Sequence, residues 1–190
     1  LRIDVGEPGE RDGAVISTKD VREGEILDLT LLLQGTIVPA LDLLPAKMDT
    51  PAARILLLAI GLQESRFQHR RQIGGPARGF WQFERGGGVR GVLTHPASRD
   101  HAYRICYARG VAPVAATVHA ALEFDDELAA VFARLLMWTD AWRLPGAGDV
   151  QGGWGFYVRT WRPGKPHPGT WPALYAHADA VVGGLDVAAA

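Results

Sequence analysis

Glu64 is the side chain of this 190-residue chain most suited by its surroundings to acid chemistry. It closes the apolar run Ile55-Leu56-Leu57-Leu58-Ala59-Ile60. Leu57, Ile60, Glu64 and Phe67 fall at i, i+3, i+7 and i+10, so a helix puts them on one face. A carboxylate in an apolar stripe loses water, which disfavours its charged form and raises its pKa. A carboxylic acid still protonated near neutral pH is what a general acid requires. The alternative is that Glu64, near the helix end, turns into solvent as an ordinary surface charge. A second group follows in Ala77-Arg78-Gly79-Phe80-Trp81-Gln82-Phe83. Gly79 permits a close backbone approach, and large aromatics beside a fixed amide suit the binding of a sugar ring.

These residues need a helix and a turn to carry them. Asp49 and Thr50 are good N-cap residues, and Pro51 suits a first helical turn, where its missing N–H is not needed. The strong helix formers Ala52, Ala53 and Leu56 to Leu58 follow. Ile73-Gly74-Gly75-Pro76 must break the helix.

Residues 64 to 82 resemble the catalytic motif of lytic transglycosylases in the lysozyme-like superfamily. That family shows Glu-Ser-x-Phe, a loop, then Gly-Ala-x-Gly-Leu-x-Gln. Glu64, Ser65 and Phe67 match the first part, and Ala77, Gly79 and Gln82 the second, at the family's spacing. The chain departs from the pattern at Ile73 (Ser in the family), at Pro76 (Gly), at Phe80-Trp81 (Leu-Met) and after Gln82, where Glu84-Arg85-Gly86-Gly87-Gly88 replaces the usual Pro and Thr. The whole chain also resembles proteins carried by bacteriophages of proteobacteria.

The resemblance implies a peptidoglycan-cleaving enzyme acting on the β-1,4 bond between N-acetylmuramic acid and N-acetylglucosamine. Glu64 would protonate the leaving oxygen. It would then act as base on the muramoyl 6-hydroxyl, giving a 1,6-anhydro product without a second carboxylate. Ser65 and Gln82 would orient the cleft or the substrate's N-acetyl group, and Phe80 and Trp81 would supply walls. A late helix lines the family's cleft, and Trp138-Thr139-Asp140 is the segment expected there. Asp140 and Glu123 are the candidates for a second acid, which a hydrolase would need at a defined separation. The rival readings are a phage structural or assembly protein with an inactive lysozyme-like fold, a muramidase-type hydrolase, and, more distantly, a nucleic-acid-binding module. The partners expected are glycan strands and phage virion or lysis proteins, with no nucleic acid, no membrane insertion, no cofactor and no metal.

Composition agrees with an ordinary globular domain, 47% hydrophobic with a formal net charge of −1. Near-neutral charge argues against nonspecific nucleic-acid binding as the main activity. The single cysteine, Cys106, excludes an internal disulfide framework and reads as a small buried hydrophobe. Residues 1–28 are polar and read as an N-terminal arm or linker, with Val15-Ile16-Ser17-Thr18 as a short strand. Residues 29–185 read as the catalytic domain. The start LRIDVGEPGE has no signal-peptide character, so the expectation is synthesis in the cytoplasm and delivery to the wall as a phage protein. Residues 29–45 are apolar but too short to span a bilayer, and read as a helix or two half-helices packed on the catalytic helix.

Arg66, Arg70, Arg71, Arg78, Arg85 and Arg90 crowd one stretch. They read as a solvated face, a single-strand nucleic-acid surface, or an attraction for an anionic polymer such as the cell wall. Gly86-Gly87-Gly88 lacks the Lys-Ser/Thr of a phosphate loop and reads as a loop at the cleft rim. His95, His101 and His119 lack metal-ligand spacing. Helices are predicted over 97–109, from Pro113 to Ala121, from Asp125–Asp126 with Leu128, Val131, Phe132, Leu135 and Leu136 as its stripe, over Trp154–Trp161, and over Trp171–Val182. Residues 143–153 and 162–168 read as loops. Trp154, Tyr157, Trp161 and Trp171 either pack the core, or one or two of them platform sugar rings. The fold class expected is mainly α, a lysozyme-like helical domain with long Gly/Pro-rich loops and little or no sheet.

Overall fold

The computed structural model describes residues 29–188; the arm and the short strand expected before residue 29 lie outside the described residues. The chain is mainly helical, and no strand occurs among the described residues. Two isolated antiparallel bridges, Arg71 with Arg78 and Arg78 with Phe83, are the nearest approach to a sheet.

Helix α1, residues 29–42, is one helix with a widened middle. Its π-helical turn, Leu33–Ile37, closes with Val38 N–H reaching back to Leu33 O. Pro39 follows, with no N–H to give, so the ladder loosens where the proline would otherwise clash. The segment Val38–Asp42 completes it.

Helix α2, Pro51–Ser65, starts where the caps predict, with the Thr50 side chain accepting from Ala53 N–H at 3.1 Å. Every residue from Ile55 to Leu62 is buried, so α2 is a central helix surrounded on all sides rather than one with a single apolar stripe. Helices α1, α6 and α8 enclose it. Its end differs from expectation. The helix stops at Ser65, well before the Gly-Gly-Pro breaker, and Arg66 takes a left-handed cap conformation with its N–H on Leu62 O. Phe67 is therefore off the helix, also at positive φ. Its ring folds back over Gly61, where a Cβ would lie 2.1 Å from Phe67 Cζ, and meets Phe80 and Trp81 edge-on. The tertiary pull of that aromatic cluster ends the helix before the local breaker is reached.

The glycine run expected as a loop is also helical. A π-helical turn, Arg85–Val89, runs into α3, Arg90–Thr94, because Val89, Val92 and Leu93 bury themselves in the core. Helix α4 is Arg99–Ala108 and α5 is Ala115–Ala121. Helix α6, Asp126–Trp138, is capped by Asp125 accepting from Leu128 N–H at 2.9 Å. Its predicted stripe is buried at Leu128, Val131, Phe132 and Leu135 and partly buried at Leu136. Helix α7, Val150–Trp161, begins four residues before the predicted start, because Asp149 caps it at Gly152 N–H and the glycines of the expected loop form its first turns. Helix α8, Trp171–Ala188, extends past Val182. It buries Trp171 and Tyr175 against α7 and lies along α2.

Candidate active site

Helix α2 ends at the floor of a cleft of about 1450 Å³, with Gln63 and Glu64 on its lining. The α3 side of the cleft contributes Gln82, Glu84, Gly86 to Gly88 and Arg90. The opposite side comes from the ends of α6 and α7, with Thr139, Asp140, Trp142, Tyr157 and Arg159, and from the segment after α7.

Glu64 is partly buried, and Tyr157 donates its hydroxyl to Glu64 Oε1 at 2.7 Å. Burial pushes the Glu64 carboxyl up to about 7, against the smaller lowering effect of the Tyr157 hydrogen bond. Burial and then the neighbouring Glu64 charge push the Tyr157 hydroxyl up, so it stays a donor. The tyrosine is itself fixed by stacking on Trp171, with ring planes 12° apart and centroids 5.2 Å apart. The acid is therefore oriented by one helix, α7, whose tyrosine is locked by another, α8. Such a carboxyl is half protonated at neutral pH and can give up or take a proton.

Asp140, the other predicted acid, lies on the same cleft but is engaged. Arg159 Nε reaches Asp140 Oδ2 at 2.5 Å, and Trp142 N–H donates to Oδ1 at 2.9 Å. Burial alone would raise the carboxyl, but these hydrogen bonds and the Arg159 charge outweigh it and hold Asp140 below the usual range. Glu123 pairs with Arg78 at 2.8 Å and is not on the cleft wall.

The remaining predicted residues divide clearly. Gln82 and Thr139 line the cleft with Glu64 and Tyr157. Gln82 sits at φ 48° and donates its amide to Gly79 O (2.8 Å) and His69 O (3.0 Å), so the turn holds it rigidly. Ser65 is buried, donates to Phe80 O at 2.7 Å and accepts from Phe67 N–H at 3.1 Å; it ties the helix end to the turn and does not face the cleft. Phe80 and Trp81, expected as walls, are in the core at 4% and 0% exposure. Trp81 Nε1 donates to Leu57 O at 2.9 Å, so its polar edge as well as its ring is consumed inside. Trp138 is turned away from the cleft, its ring under the Arg134 guanidinium at 5.0 Å and Lys47 at 5.5 Å.

Three residues that sequence reasoning passed over stand out. Trp142 lies on the cleft rim at 76% exposure. Arg159 is the cation that occupies Asp140. Gln63 lies beside the acid and clamps the segment after α7, its Nε2 donating to His167 O (3.2 Å) and its Oε1 accepting from Thr170 (2.9 Å). The only sequence signal for Gln63 is its place beside Glu64. Trp142 had one, as an aromatic two residues past a candidate acid.

No protein-family model, no curated protein and no solved structure matches this chain.

Proposed function

We propose that this chain is a peptidoglycan-cleaving glycosidase with a lysozyme-like arrangement of helices, acting on the β-1,4 bond between N-acetylmuramic acid and N-acetylglucosamine, and that it works as a lytic transglycosylase. The observation that carries this reading is Glu64, a carboxyl raised to about 7 at the end of a buried helix, opening on a large cleft and held by Tyr157. It protonates the leaving glycosidic oxygen, and the resulting carboxylate accepts the proton of the muramoyl 6-hydroxyl as that oxygen closes on C1. A pKa near neutrality serves both halves of that cycle. One carboxyl suffices, in keeping with an Asp140 already ion-paired to Arg159.

A second reading, a muramidase-type hydrolase, is favoured by one observation: Asp140 lines the same cleft and is kept ionised. A hydrolase pairs its acid with such a carboxylate. Digestion of purified peptidoglycan by wild type and Glu64→Gln, with mass spectrometry of the soluble products, tests both. We expect anhydromuropeptides from wild type and none from the variant. Reducing ends would transfer the assignment to the hydrolase, and a fully active variant would place the acid elsewhere.

A further inference from the structure

Four cations, Arg90, Arg159, Arg162 and Lys165, line the cleft against three carboxylates, in a chain whose formal net charge is −1. Arg90, Arg162 and Lys165 line it, are exposed, and pair with no carboxylate among the described residues. Away from the cleft, Arg70, Arg78 and Arg109 each have a carboxylate within 2.9 Å, while Arg66, Arg71, Arg85 and Arg143 form no ion pair among the described residues. Against the three cations stand exposed Glu84, the half-protonated Glu64, and Asp140, which Arg159 already neutralises. An unpaired positive rim on a concave, low-dielectric wall focuses its field into the cleft.

Two of the three cations are also held in place. Residues 162–168 carry prolines at 163, 166 and 168, which fix the backbone φ at three positions in seven. The segment is tethered at its far end by the Gln63 clamp, beside Glu64. At its near end Arg162 caps α7, its backbone N–H on Val158 O. A stiff strap tied at both ends presents its charges with less ordering cost than a free loop would.

Resting on the glycosidase reading, we propose that this strap and Arg90 are a carboxylate-binding rim, so that the cleft selects a glycan strand bearing carboxylates over a neutral one. Two sources share that chemistry, the stem peptides and, where a stem has been removed, the lactyl groups.

Binding to Glu64→Gln protein, which should leave strands uncut, separates the cases. The probes are uncross-linked strands with stem peptides, the same strands stripped by an amidase to free lactyl carboxylates, and a neutral N-acetylglucosamine oligomer. We expect the stem-bearing strand to bind roughly tenfold more tightly than the neutral oligomer at low salt, the gap closing as salt is added. Arg162→Glu/Lys165→Glu should erase the gap, and Arg162→Gln/Lys165→Gln should narrow it, with thermal melts confirming that both variants fold. Because the lactyl carboxyl is bound in the amide to the stem until stripping frees it, stripped strands that bind like stem-bearing ones show a rim that takes either carboxylate, and stripped strands that bind like the neutral oligomer assign the stems. Equal binding of charged and neutral strands, or a gap that survives charge reversal, overturns the rim while leaving the glycosidase reading standing. Failure to bind any of the three overturns both.

Discussion

At the scale of single residues, the molecule places a titrating group where burial works against it. A Glu64 carboxyl near 7 when folded and near 4.5 when unfolded means that the folded state holds the extra proton between those values. Stability is therefore full below about pH 4.5 and falls as pH rises through 7, by up to about 3 kcal/mol. Glu64→Gln removes that penalty while keeping an acceptor for Tyr157. We expect thermal melts to show the variant close to wild type at acid pH and more stable than wild type at pH 8; a variant less stable at both would show that burial of Glu64 carries no such cost. Tyr157→Phe keeps the ring on Trp171 and deletes the donor. Because that hydrogen bond lowers the Glu64 pKa, its loss should move the alkaline limb of the pH–rate profile upward and reduce kcat/KM roughly tenfold. An unmoved limb would separate Tyr157 from the proton's chemistry.

At the scale of elements, the junction between α2 and the turn after it decides where the acid stands. Local rules located the start of α2 at Thr50 and Pro51, because capping is a matter of three or four adjacent residues. They missed its end, because what stops the helix at Ser65 is Phe67 packing on Gly61, Phe80 and Trp81, contacts that reach as far along the chain as Phe67 to Trp81. For the same reason Phe80 and Trp81 were legible as aromatics but not as core. Gly79 anchors the far side of this turn at φ 72°, with its N–H on Arg70 O at 2.8 Å and a Cβ-to-Leu122 O distance that would be only 2.8 Å. Gly79→Ala should cost about 1–3 kcal/mol in chemical denaturation and disturb Gln82 with it, whereas an unchanged midpoint would mean that the backbone yields there freely.

At the scale of the whole molecule, the helical class was legible in the sequence, since α4, α5 and α6 stand close to the stretches predicted for them, α6 with its apolar stripe. What faces the cleft was not, because alternation along one helix does not say which neighbour covers it. Trp138 and Trp142 are four residues apart, yet one lies against Arg134 and the other against open space. That contrast has an optical consequence. Of six tryptophans, Trp81 and Trp171 are buried, Trp138, Trp154 and Trp161 partly so, and Trp142 alone is largely in water, on the rim of the cleft. Its emission should form the red edge of the protein's fluorescence and be open to quenching by iodide. A ligand filling the cleft should shift that edge to the blue and shield it, and Trp142→Phe should abolish the change. The protein thus carries its own occupancy meter, readable in a cuvette without a label and before any product is formed.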